Sequence, residues 1–365
     1  MQLTTVENSE TNSDIHSISD QSLVSVIIVN YNGKDHLSRC IDSLISTTDA
    51  EIIVVDNASS DDSAELVENN YPEIKLIRSK INVGFGEANN LGVGESHGHY
   101  LAFLNPDTIV EPGWLYALIS TLENNSKAGL ATSKILLLNN PDTINTCGND
   151  LHLSGLTLCR GMGLPSSTYT VPVKVSAISG AAFIIQRNLF NALGGFDPDF
   201  FLYMEDTDLS LRARLAGYSC LSIPNSVVYH DYSLRFGPQK TYYQERNRYL
   251  VLLKIYKWPT LLVLSPALLL AELVTWGFSV TRDRNRLENK IKAYAWIVRN
   301  WRDIMAKHRY TQSLRTVRDR DLLLGTTHRL DYAQTGAGTL PRLAGCIFDP
   351  LFYLLRGLTL ALVWW

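Results

Sequence analysis

Three stretches, VSVIIVN at 24–30, EIIVVD at 51–56 and YLAFLN at 100–105, are apolar almost without interruption. A strand with one wet face alternates apolar and polar residues, so runs of this kind must lie between two covering layers. Between the first two, Leu37, Cys40, Ile41, Leu44 and Ile45 recur at helical spacing. After the second, Ser59 or Ser60 is placed to cap a helix whose first turn holds Asp61, Asp62 and Glu65. IKLIRS supplies a further strand. Buried strands alternating with helices predict an α/β domain on a mostly parallel central sheet. Ligands of such sheets lie outside the carboxyl ends of the strands, and here those ends are Asn30, Asp56 and the turn Asn105-Pro106-Asp107.

The remaining sequence reads less regularly. Past about residue 125 the alternation weakens; AISGAAFIIQRNLF is a strand entering a helix, and SVVYH is a short strand ending on His230. Residues 22–250 are expected to form the catalytic domain and 251–365 a helical, apolar and basic region. WPTLLVLSPALLLA, from Trp258, is uncharged but interrupted by Pro259 and Pro266, which favours a helix lying in a membrane interface over a span. The closing FDPLFYLLRGLTLALVWW is equally apolar and ends in tryptophans suited to headgroups. Residues 1–21, acidic and without Lys or Arg, are expected to be a disordered tail. From Arg282 to Arg329 basic residues outnumber acidic ones, which suits an anionic membrane or a solvated helix face. With a net charge of -3, nothing in the balance points to nucleic acid. Five scattered cysteines show no metal or disulfide spacing and fit the cytoplasm.

Several groups carry chemistry. Asp56 either closes an Asx turn before the next helix or accepts the imide N–H of a pyrimidine base. NVGFGEANNLG at 82–92 lets backbone approach a ligand through Gly84, Gly86 and Gly92, yet it breaks G-x-G-x-x-G because Asn89 holds the third glycine position. Asp107 offers a hard oxygen to Mg²⁺ or Mn²⁺, which substrate phosphates commonly complete. YMEDTDLSLR brings Glu205, Asp206 and Asp208 together, more negative charge than a helix N-terminus explains.

In order, VSVIIVNYNG, VVDNASSDDS, NVGFGEANNLG, FLNPD, GGFDPDFFLYMEDTDLSLR and VVYH resemble the family 2 inverting glycosyltransferases of GT-A fold, in their rhamnosyltransferase-like branch, over residues 22–250. The resemblance implies a Rossmann-like nucleotide-sugar domain in which Asp56 binds the base and Asn30, Asn57, Asn82, Gly84, Phe85 and Asn90 surround the nucleoside diphosphate. It implies Asp107 and His230 as metal ligands, Asp206 as catalytic base, and Glu205 and Asp208 as its support or as acceptor-positioning groups. Asn105 departs from the family's first Asp and lowers the negative charge at the metal. The function implied is transfer of a sugar, L-rhamnose from a dTDP donor, to a lipid-linked saccharide at the cytoplasmic face of the membrane. Another hexose donor fits the same motifs. A sugar-nucleotide pyrophosphorylase would need a basic, glycine-rich loop after the first strand, where VNYNGKDHL has only Lys34, and a non-catalytic scaffold would have no use for Asp107, Asp206 and His230 together.

Overall fold

The structure is a computed structural model that describes residues 24–232, 238–282, 284–331, 334 and 339–365. The expected tail at 1–21 lies outside the described residues. The chain opens as β1 (Val24–Asn30), α1 (Lys34–Ile45), β2 (Glu51–Asp56), α2 (Ser63–Asn70), β3 (Lys75–Arg78), α3 (Phe85–Gly94) and β4 (Tyr100–Leu104). All seven residues of β1 are buried. Val26 and Ile28 pack on one side with Leu37, Ile41 and Trp114, while Ile27 and Val29 pack on the other with Phe103, Phe183 and Phe196. Two cores, one on each face, are why these strands do not alternate. Helix α3 lies so close to the sheet that a methyl group at Gly92 would come within 2.6 Å of the Ile27 side chain.

Next come β5 (Thr108–Val110), α4 (Trp114–Glu123), β6 (Ala128–Leu137), β7 (Asn140–Thr146), β8 (Asn149–His152), β9 (Thr157–Cys159), β10 (Val173–Val175), β11 (Ala182–Gln186), α5 (Arg187–Ala192), α6 (Glu205–Leu215) and β12 (Ser219–His230). The main sheet runs β10-β12-β6-β11-β4-β1-β2-β3, with β5 against β12 and β7 against β6. It is mixed rather than mostly parallel: β11 enters antiparallel between β4 and β6, and β12 runs parallel to β6 but antiparallel to β5 and β10. The strand ending on His230 is a long one of 12 residues, broken in register between Ile223 and Val227. Nor does Ser59 or Ser60 cap α2; the cap position is Asp62, in the left-handed region.

The chain ends in α7 (Pro238–Ile255), α8 (Trp258–Arg282), α9 (Arg284–Arg299), α10 (Trp301–Ser313), α11 (Asp319–Leu324), the short β13 (Thr326–Thr327) and α12 (Thr339–Leu362). The boundary expected at residue 250 falls inside α7, and β13 pairs with β8, so the last third is sewn into the part before it. One apolar cluster accordingly joins Leu151 and Phe200 to Leu250, Ile304 and Phe352. The basic stretch is partly internal: Lys290 is buried against Glu245 and Glu272 at 2.8 and 3.0 Å, and Arg315 pairs with Asp319 at 2.7 Å. Helix α8 is not interrupted. Pro259 sits in its first turn, where no N–H is needed, and Pro266 sits inside it. The Leu262 carbonyl that Pro266 cannot serve accepts the Ser265 hydroxyl at 2.7 Å instead. Trp258–Gly277 and Leu343–Leu362 are each long and apolar enough to cross a membrane.

Candidate active site

The carboxyl ends of β1, β2 and β4 build one edge. Asn30 and Asp56 are register partners, and the Asn57 N–H donates to the Asn30 carbonyl at 2.8 Å. Asn30 Nδ2 donates to Ser63 Oγ at 2.7 Å and to Ser59 Oγ at 3.2 Å. Asp56 Oδ2 accepts the Ser59 N–H at 3.1 Å, the Asx-type turn. Its other oxygen, Oδ1, is buried without a hydrogen-bond partner among the described residues. Buried acceptors are seldom left so, and a ligand N–H would satisfy this one. The Asx turn is thus observed, and the free oxygen leaves room for a ligand contact on the same side chain.

The glycine-rich segment is locked to this edge. Asn57 Nδ2 donates to Asn82 Oδ1 at 3.0 Å and the Gly84 carbonyl at 3.3 Å, and Asn57 Oδ1 accepts the Val83 N–H at 2.9 Å. Gly84 has φ +88, and a side chain there would run into the Phe201 backbone. The Phe85 N–H donates to the Phe201 carbonyl at 2.7 Å, which ties the segment to the loop before α6. Asn90 stands apart from this arrangement. Its amide oxygen accepts the Phe196 N–H at 3.0 Å and its Nδ2 donates to the Phe196 carbonyl and Glu87, both at 2.9 Å, so it braces α3 and is not turned to the nucleotide edge.

Asp107 and His230 meet across the sheet, Oδ1 to Nε2, at 3.1 Å. Burial works to raise the Asp107 pKa, but the His230 hydrogen bond and charge outweigh it and hold the carboxyl below its ordinary value. His230 Nδ1 faces Asn145 Oδ1 at 3.0 Å. The charged ring donates from both nitrogens, to Asn145 and to Asp107; in the neutral ring with its N–H on Nδ1, the Nε2 lone pair would face a carboxylate oxygen, an arrangement that a cation between the two resolves. Neighbouring ligands at the 2.0–2.1 Å of Mg²⁺ lie about 3 Å apart at a right angle, so the pair fits a shared ion. Among the described residues no group of three or more His, Cys, Asp or Glu is placed to hold a metal ion, so an ion on this pair would need substrate and water for its other positions.

Asp206 closes the ring. Its Oδ2 accepts the Gly180 N–H at 2.9 Å and Asn149 Nδ2 at 3.3 Å, and Oδ1 accepts the Thr207 N–H at 2.6 Å. The neighbouring Ala181 carbonyl accepts the Asn105 N–H at 2.9 Å, which sets Asp206 beside the Asn105–Asp107 turn. Burial raises the Asp206 pKa despite these donors. Glu205, more deeply buried, is pushed up to about 8 by desolvation and then by Asp206, which favours its protonated form. Asp208 does not join them. It is fully buried on the opposite side of α6, paired with Arg212 and Lys254 at 2.7 Å each, and it holds the fold.

The loop delivering Glu205 and Asp206 is strained. Phe201, Tyr203 and Met204 have φ of 56, 67 and 68, a costly choice for residues with side chains. Helix α7 holds it: buried Asn247 Nδ2 donates to the carbonyls of Phe200, Leu202 and Tyr203 at 3.0, 2.9 and 2.6 Å, and Arg246 bonds those of Asp199 and Phe200. Asn145, Asn149, Arg246 and Asn247 were missed by sequence reasoning. The turn glycine of NTCGND, Gly148 with φ +81, was the one local sign that the chain turns between the first two.

Residues 25–143 match the family described as Glycosyl transferase family 2, and residues 100–306 match Glycosyl transferase family group 2. An N-acetylglucosaminyl-diphospho-decaprenol L-rhamnosyltransferase of Mycobacterium tuberculosis (strain ATCC 25618 / H37Rv) is 27% identical over 235 residues, 57% of this chain and 76% of that protein. GalNAc-T7, solved with UDP, GalNAc and Mn²⁺, aligns with a TM-score of 0.52 at 22% identity, over 63% of this chain and 47% of its own. S. aureus TarS 1-349, solved with UDP-GlcNAc, aligns with a TM-score of 0.51 at 16% identity, over 93% of this chain and 88% of its own. These structures share the GT-A fold with this chain.

Proposed function

The chain belongs to Glycosyl transferase family group 2, and on that footing we propose that it is an inverting, metal-dependent transferase moving a sugar from a nucleoside diphosphate to a lipid-linked saccharide. The observation that carries this reading is a single one: Asp56 with a buried free oxygen and the Asp107–His230 pair lie at the strand ends, and Asp206, at the start of α6, is tied to the same turn through Gly180 and Ala181. In the reaction an acceptor hydroxyl oxygen bonds to the anomeric carbon as the bond to the diphosphate breaks on the opposite face. Asp206 Oδ takes the hydroxyl proton, which its burial equips it to hold. Asp56 Oδ1 fixes the base, and the backbone from Asn82 to Phe85 approaches the diphosphate. Mg²⁺ or Mn²⁺ on Asp107 and His230 would neutralise charge on the leaving diphosphate.

The donor we favour is dTDP-L-rhamnose, supported by the likeness to the L-rhamnosyltransferase. A thermal-shift panel of dTDP, UDP and GDP sugars with Mn²⁺ tests it, because a ligand of the native state raises its melting temperature. The largest rise is expected with dTDP-L-rhamnose; a larger one with a UDP-hexose would reassign the donor, and none with any nucleotide sugar would overturn the reading.

We place the enzyme at the cytoplasmic face of the membrane, with residues up to about 250 carrying the chemistry. Leu262, Leu269 and Leu273 of α8 and Leu343, Ile347, Leu354 and Leu358 of α12 are exposed, and their spacing of four or seven keeps each set on one helix face. The full chain is expected to float with anionic vesicles and the variant L269E/L273E/L354E to stay behind. Undiminished flotation of that variant would contradict the anchor.

A further inference from the structure

Outside the edge described above, a groove of about 960 Å³ lies between α7 and α9. Tyr242 and Tyr243 form one wall, and Ile291, Lys292, Trp296 and Arg299 the other. Residues 292, 296 and 299 are spaced by four and three, so they share one face of α9, with the two cations about 10 Å apart along it. No Asp or Glu lines the groove. Lys292 reaches the exposed Glu288 at 2.7 Å, a solvated pairing that holds little energy. The Arg299 guanidinium is exposed and makes no ion pair or hydrogen bond among the described residues.

The groove adjoins the catalytic loop. The Tyr243 ring stacks on Phe201 with centroids 5.3 Å apart and planes 15° apart, and Phe201 is the residue whose carbonyl holds Phe85. Arg246 is sandwiched against the same rings, 4.6 Å from Trp296 and 5.0 Å from Tyr243, while its Nη2 donates to the Phe200 carbonyl at 2.7 Å. Its charge is thus used internally, and Lys292 and Arg299 are the cations left to a ligand. Aromatic rings offer faces to sugar and hydrocarbon C–H groups, and paired cations a few ångströms beyond them suit phosphate.

We propose that this groove takes the phosphate-bearing end of the acceptor, a lipid-linked sugar diphosphate, and so sets the acceptor hydroxyl toward Asp206. This rests on the transferase reading above and adds a second anion site, separate from the donor diphosphate at Asp107 and His230. The test is calorimetric titration of the full chain in neutral detergent with farnesyl diphosphate, alongside farnesol and dTDP. Farnesyl diphosphate is expected to bind, K292Q/R299Q to weaken it at least tenfold with an unchanged melting temperature, and farnesol to bind weakly and equally to both proteins. Equal binding of farnesyl diphosphate by wild type and variant would overturn the proposal, as would its displacement by dTDP, which would put the probe in the donor site. Loss by the variant of phosphatidylglycerol-vesicle binding alone would make the groove a membrane contact and overturn it too. Failure of the probe with dTDP binding intact sinks the groove alone, whereas failure of dTDP with the probe still bound sinks the donor reading alone.

Discussion

Asp206→Asn is expected to lower sugar transfer by about 10² to 10⁴-fold, the range supplied by a positioned general base, while leaving nucleotide binding measurable. The substitution keeps the shape of the side chain. The Gly180 and Thr207 N–H groups go to different oxygens of the carboxylate, so an amide in its place can accept only one of them, and it cannot take a proton from the acceptor. In the wild type the rate should fall as pH falls through the raised pKa of Asp206, because the base must be ionised. Asp208→Asn is the control with a different signature: it breaks the buried pairs with Arg212 and Lys254, so its first effect is a lower melting temperature. A variant Asp206→Asn that transfers at near the wild-type rate would remove Asp206 from the base role.

Glu205 adds a pH dependence of stability. A carboxyl with a native pKa of about 8 against an ordinary 4.5 favours the folded state while protonated. That contribution is complete below the unfolded pKa and is lost as pH rises through the folded one. Melting temperature should therefore decline between about pH 5 and 8, and Glu205→Gln should flatten the decline.

The second large effect is expected at the metal pair. Asp107→Ala removes one protein ligand and the partner of His230, and transfer should fall by about 10²-fold or more, as when a preorganised electrostatic group is deleted. Excess EDTA should produce a comparable loss in the wild type, with recovery on adding Mn²⁺, while the variant responds weakly to either. His230→Ala should behave alike, and Asn145→Ala more mildly, since it acts on the ring through Nδ1. Full activity in excess chelator would take the ion out of the mechanism and leave the Asp107–His230 contact as a structural bond.

The legibility of this chain followed the distance over which each signal acts. Strands β1, β2 and β4 declared themselves because burial on both faces writes an uninterrupted apolar run, and their polar last residues marked the working edge. The direction of β11 was hidden: AFIIQ is apolar whichever way it runs, and its antiparallel insertion between β4 and β6 depends on the whole sheet. Glu205, Asp206 and Asp208 read as one acidic cluster, yet residues two apart on a helix point about 200° away from each other. That rotation sends Asp208 to Arg212 and Lys254 and leaves Asp206 at the site. Asn247, 41 positions beyond Asp206 and buried in α7, carries no local mark of its hold on the catalytic loop. Pro266, read as an interruption of the apolar run, leaves α8 continuous, because the Ser265 hydroxyl gives the Leu262 carbonyl the bond that the proline cannot.

The most direct test of the central claim is product analysis after incubating the full chain with dTDP-β-L-rhamnose, Mn²⁺ and a lipid-linked saccharide. The account predicts release of dTDP and a new α-linked rhamnoside, both dependent on Asp206 and abolished by EDTA. A β-linked product, or turnover that persists in Asp206→Asn, would contradict it.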